Sequence, residues 1–250
     1  MTRGGRWAGW AAIVGLFLWS ASATELSLYR VVEGVPFMLD FLRRMVPPDF
    51  SVMGNALTGA MQTLQIAVVG TGVSALLALP LSFAAARNVA PPWLFYGSRS
   101  VLNVFRAVDT LVYALFFVAA VGLGPFPGVL AVVAYTATVL AKLYSEAIEA
   151  IDPGPVEAVA AAGATALQVL RWGVLPQLVP QFLSFTLYRF ETNIRAAAIL
   201  GFVGAGGIGF YIQTYLRMLN YPAASAVLLV LVALVMLVDF ASSRIRARLV

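Results

Sequence analysis

Cysteine and histidine are both absent from the 250 residues, and Lys142 is the only lysine. Without cysteine there are no disulfides and no thiolate metal sites. Without histidine the chain lacks the commonest general base and metal ligand. The phosphate-binding pattern G-x-x-x-x-G-K-[ST] is excluded as well, because Lys142 follows Ala141. Charge is scarce too: 11% of residues are charged and 61% are hydrophobic, whereas a soluble domain carries roughly 25% charged residues. No soluble basic surface is left to hold a nucleic acid, despite the net charge of +5.

What the chain has is long apolar runs. A spanning helix needs about 20 mostly apolar residues, and strand-like alternation is missing. The expected fold class is therefore all-α, a polytopic membrane helix bundle. Residues 1–52 read as a first span, or a signal-like segment ending at Ala21-Ser22-Ala23, followed by an external loop with Glu25, Arg30, Glu33, Asp40, Arg43, Arg44 and Asp49. That loop has room for a short amphipathic helix. Residues 53–250 read as the main membrane-spanning part. Its apolar runs are 55–86, 101–121, 129–150, 172–190 and 223–240, and a glycine-laden stretch lies at 196–219. Pro176 and Pro180 mark the start of the 172–190 run.

Positive charge sets the orientation. With six spans and both termini cytoplasmic, Arg3, Arg6, Arg87, Arg99, Lys142, Arg171, Arg244, Arg246 and Arg248 fall inside. Arg30, Arg43, Arg44, Arg189, Arg195 and Arg217 fall outside. A seventh span at 196–219 would force the arginine-rich tail outside, so this stretch is expected not to cross.

On that topology 150–172 is a cytoplasmic loop. It is rich in alanine, a strong helix former. Pro153 and Pro155 suit a helix start, with Glu157 in the first turn, and Gly163 is a bend between two short helices. A small-residue helix facing the cytosol covers little of its own protein and suits a groove on another subunit. The order Glu157-Ala158-Val159, three residues, Gly163, then Leu175-Pro176 resembles the E-A-A-x3-G-x9-I-x-L-P loop of ABC importer permeases. Val159 replaces the second alanine, and Gly173 stands where isoleucine is usual. "EAIEAIDPGPVEAVAAAGAT", "VLRWGVLPQLVPQF" and "YRFETNIRAAAILGFVGAGGIG" are similar to the phosphonate branch of these permeases, which also takes phosphite and phosphate esters.

The resemblance implies a type I ABC importer permease. Two copies would form a pore as a homodimer, and two ATP-binding subunits would grip the loop at Glu157, Ala158, Gly163, Leu175 and Pro176. An external substrate-binding protein would deliver the ligand. No cofactor is expected on this chain; ATP and Mg would sit on the partner ATPase, and the chain itself would not be an enzyme. The rival readings are a permease for another small solute such as methionine and an ion-coupled secondary transporter.

Arg189, Glu191, Asn193 and Arg195, with Gly204, Gly206 and Gly207, are the candidate translocation path. They are read as a cluster at the outer end of the 172–190 run. Arginine suits an anion's oxygens, and the glycines allow close approach of backbone or ligand. Interfacial placement of the arginines, pairing with Glu191 and tight helix packing by the glycines are the alternatives. Asp109 and Asp239 lie near span ends and are expected to be structural. A nucleotide reading of the glycines fails for want of a preceding strand and the right spacing.

Overall fold

The computed structural model describes residues 3–24 and 27–248. Glu25 of the expected external loop lies outside them, as do the side chains of Arg3 and Arg6. The chain divides into two compact units, Met1–Val46 and Pro47–Val250. Every regular element among the described residues is helical.

The first unit has two helices, α1 (Arg3–Ala23) and α2 (Leu28–Arg44). Ser27 caps α2, its side chain accepting from the Arg30 N–H at 3.4 Å. Arg30, Glu33, Asp40 and Arg44 recur at helical spacing along one side of α2, and Asp40 pairs with Arg44 one turn on at 2.8 Å.

The second unit is built on α3 (Met53–Ala84) and α6 (Pro125–Glu149), the most extensively packed pair. Small residues let neighbours approach α3 closely on several sides. Gly70 and Ala78 lie toward α6, Ala56, Gly59 and Ala60 toward the helices Ile208–Arg217 and Tyr221–Arg246, and Ala67 toward Leu175–Leu200 and Tyr221–Arg246. Ile66 of α3 and Ala131 and Val132 of α6 share a buried cluster with Ala114, Ala197, Leu200 and Ala205. At the other end of this pair Leu140, Ala141 and Tyr144 pack with Ala78, Ala85 and Leu102.

The expected run at 101–121 is not one straight span. It is divided between α4 (Pro92–Arg106) and α5 (Thr110–Val121), which meet at 80°. The elbow has a cause in its residues. Asp109 turns the chain and caps α5, accepting from the Leu111 N–H at 2.8 Å, and Tyr113 Oη donates to the Phe105 carbonyl across the bend at 2.8 Å. Asp109 is thus structural.

After α6 come α7 (Pro153–Ala161), α8 (Ala166–Val169), a π-turn at Leu170–Val174 and α9 (Leu175–Leu200). Pro176 lies in the first turn of α9, as expected, but Pro180 is inside the helix and does not mark its start. A 3-10 turn (Gly201–Val203) leads to α10 (Ile208–Arg217), and α11 (Tyr221–Arg246) completes the unit. Ten residues of α10 extend about 15 Å, half of a hydrocarbon core, so α10 alone is too short to span. The helices long and apolar enough to span number four, or five if α4 and α5 form one broken span, counted over the described residues.

Candidate functional site

Two regions of α9 carry the polar features that the sequence singles out. The first is the protruding piece before it. Asp152 caps α7, its side chain accepting from the Gly154 N–H at 2.9 Å, with Pro153 at the first helical position. Glu157 consequently sits in the second turn of α7 and not the first, because the helix starts at Pro153. Gly163 has φ +80° and donates its N–H to the Ala160 carbonyl at 3.0 Å. Nothing lies within 4 Å of where its Cβ would be, so the requirement there is conformational and not steric. Gln168 accepts from the Thr165 N–H at 2.7 Å and so caps α8.

No residue of α7 or α8 is buried. Glu157, Ala158, Ala160 and Ala161 are exposed, and so are Leu167 and Trp172. The piece is nevertheless fixed at its base. Gln177 accepts from the Asp152 N–H at 3.0 Å and donates to the Asp152 carbonyl at 3.2 Å and the Gly173 carbonyl at 2.8 Å. One side chain thereby joins the start of α7 to the start of α9. Gly173, where isoleucine was expected, explains itself: a Cβ there would lie 3.1 Å from the Val156 Cα. Glycine lets the π-turn close on α7. The ends of α3 and α6 are joined to the middle of α4 near it, where Arg99 Nη2 reaches both oxygens of Glu149 at 3.0 Å and Glu149 accepts from the Arg87 N–H at 2.6 Å. Gln177, Glu149 and Arg99 were not singled out from the sequence. Gln177 directly follows Leu175-Pro176, but an isolated amide announces no partner.

The second region lies further along α9. Asn193 is 2% exposed. It donates to Thr71 Oγ1 of α3 at 2.8 Å and accepts from Thr136 Oγ1 of α6 at 2.9 Å. Thr71 and Thr136 are near the middles of their helices. Asn193 and the Arg189 guanidinium are therefore level with the middles of α3 and α6, and none of the four residues is at the end of α9, which continues to Leu200. Arg189 Nη2 lies 3.5 Å from both Thr136 Oγ1 and Asn193 Oδ1, and the guanidinium sits 5.3 Å from the Tyr135 ring centre.

The other two members turn away toward α11. Glu191, 6% exposed, is met by Arg246 Nη2 at 2.8 Å. Arg195 Nη2 contacts both oxygens of Asp239, at 3.0 and 3.2 Å. Both are cross-helix ion pairs, which makes Asp239 structural as expected, and neither Arg189 nor Arg195 pairs with Glu191. Lys142 is within α6, a turn from Glu146 at 3.8 Å.

The glycines lie apart from this layer. Gly204, Gly206 and Gly207 all have positive φ. A Cβ on Gly206 would lie 2.9 Å from Pro125 backbone atoms, and one on Gly207 would lie 2.8 Å from Thr63 Oγ1. Thr63 Oγ1 accepts from the Ile208 N–H at 2.8 Å. The close approach is thus to α3 and to the start of α6. A cavity of about 260 Å³ lies beside it, lined by Gln62, Leu123, Gly124, Pro125, Phe210 and Tyr211 among others. Among the described residues no group of three or more acidic residues gathers as a metal site would require.

The model of the family described as "Binding-protein-dependent transport system inner membrane component" matches residues 78–250. The chain belongs to that family. It is a multi-pass inner-membrane permease subunit. Over 222 residues it is 43% identical to the phosphite transport system permease protein PtxC of Stutzerimonas stutzeri, covering 88% of this chain and 81% of that one. It is also 43% identical over 209 residues to the phosphate-import permease protein PhnE of Mycolicibacterium smegmatis, covering 83% of this chain but 39% of the longer relative. Among solved structures, the inward-facing MetNI methionine ABC transporter superposes with a TM-score of 0.70 at 24% identity, over 81% of this chain and 99% of that one. At that identity the likeness establishes the fold, a type I importer permease, and nothing about the solute.

Proposed function

We propose that this chain is the permease of an ATP-driven importer for a small phosphorus oxyanion, phosphite or a phosphonate. The observation that carries the substrate class is the 43% identity to the phosphite permease, spread over 88% of the chain. The methionine alternative draws on fold likeness and on 34% identity to a D-methionine permease over only 44% of the chain.

In this reading the exposed α7–α8 piece is the coupling handle. Two cytosolic ATP-binding subunits grip its small-residue surface around Glu157 and Ala158, with ATP and Mg held by those subunits and no nucleotide on this chain. The handle suits the task because Gln177 and Gly173 join its two legs at the base. Movement of the handle then passes into α9 and does not dissipate in the turn. A second permease copy completes the pore, and an extracytoplasmic binding protein delivers the solute. Six spans with both termini in the cytoplasm put the handle and the arginine-rich end of α11 on the same side.

Reconstitution in proteoliposomes with the ATPase and the binding protein tests the reading. ATP-dependent accumulation of phosphite, and none of methionine, is expected. Methionine accumulation, or phosphite accumulation driven by an ion gradient without ATP, would overturn it.

A further inference from the structure

We propose that Arg189, positioned by Tyr135, Thr136 and Asn193, is an oxyanion-contact site half-way along the translocation path. The proposal rests on the phosphorus-oxyanion reading above and names a residue for it.

The first support is depth. Asn193 joins the middles of α3 and α6 through Thr71 and Thr136, and Arg189 is one turn away on α9. An arginine at that level costs about 2.5–3.5 kcal/mol on insertion scales and faces a bundle interior or a water-filled cavity.

The second support is charge. Arg195 has Asp239 and Arg246 has Glu191, while no carboxylate pairs with Arg189 among the described residues. What holds it is a neutral ring at 5.3 Å and two oxygens at 3.5 Å, and its Nε has no hydrogen-bond partner. These contacts orient the guanidinium without cancelling its charge, so donors remain for a ligand.

The third support is access. Arg189 and Thr192 are half-buried, while Tyr188 next to them and Gln181 about two turns earlier are exposed. They follow one another at helical spacing along an uncovered side of α9. Phosphite and phosphonates present oxygens that a guanidinium fork matches. A transit site must also release what it binds. A lone arginine tethered through an aromatic ring meets both demands better than an ion pair or a closed pocket.

The absence of cysteine gives a direct test. Thr192→Cys places the only thiol of this chain one turn from Arg189. In the reconstituted importer, labelling of this chain by an anionic sulfonatoethyl methanethiosulfonate is compared with labelling by the cationic trimethylammonioethyl reagent. The anionic reagent is expected to react on the order of tenfold faster. That preference is expected to vanish when Arg189→Gln is added, and phosphite is expected to slow labelling. Equal rates, a preference unmoved by Arg189→Gln, or no labelling by either reagent would overturn the proposal. Should the double variant fail to accumulate, protection by phosphite with Arg189 intact decides: protection supports the site and its absence refutes it. A charge preference that sulfate suppresses and phosphite does not would keep the anion site and refute the phosphorus-oxyanion reading instead.

Discussion

The beginning and the middle of α9 anchor regions built on opposite terms. At the beginning, no residue of α7 or α8 is fully buried, and the two helices are held by backbone-directed contacts at Asp152, Gly173 and Gln177. In the middle, Asn193 is enclosed and satisfied by side chains from two other helices. The first region meets the rest of the protein only at its base, where Ile151 and Val174 pack on Ala86, Ala147, Ile148 and Leu178; the second exists only when α3, α6 and α9 are assembled. Substitutions in the first should therefore spare folding and damage work. Substitutions in the second should damage both.

The largest effect is expected where the chain packs backbone to backbone. A Cβ at Gly209 would collide with the Ala198 carbonyl, and a carbonyl in a helix cannot retreat. Gly209→Val should cost about 3 kcal/mol or more, leaving little monodisperse protein on size-exclusion chromatography. Next comes Asn193→Leu, which strands the buried hydroxyls of Thr71 and Thr136. A loss of about 1–3 kcal/mol is expected, read as a lowered Tm in detergent, together with reduced uptake.

The handle should behave differently. Gly163→Val forces a β-branched residue to φ +80° at a local cost of about 1–2 kcal/mol, in a segment with little packing to lose. Accumulation and Tm should stay near wild type while uptake falls at least severalfold and ATP hydrolysis persists. Normal uptake in this variant would remove the rigid-lever role. Gln177→Ala is the mildest. It removes the tie between the legs of the handle, and about 1 kcal/mol at most is at stake for exposed backbone bonds. A partial loss of uptake per ATP hydrolysed is expected. An Asn193→Leu protein with unchanged Tm, or a Gly163→Val protein that fails to fold, would break the contrast.

The two regions were unequally legible in the sequence. The handle is local: Pro153, Gly163 and Leu175-Pro176 each act on their own backbone, so spacing alone gave two short helices bent at a glycine. The apolar runs likewise marked most helices, because hydropathy is also a local property. The polar layer depends on partners far along the chain. Thr71 and Thr136 are unremarkable threonines in apolar runs, and nothing in their neighbours foretells Asn193. The charged residues of α9 were visible, but their depth was not, since it follows from where α9 ends. The elbow between α4 and α5 was missed for a related reason: Asp109 read as a span boundary, whereas its side chain caps a second helix.

The sidedness of the handle is what most of the mechanism depends on. Ala160→Cys would be the only thiol of this chain, on an exposed position of α7. Spheroplasts producing the complete importer can be treated with a membrane-impermeant maleimide before and after lysis. The expected result is no labelling of this chain while the membrane is intact, labelling once it is opened, and protection when the ATP-binding subunits are bound. Labelling of intact spheroplasts would put the handle on the outer face and contradict the coupling mechanism.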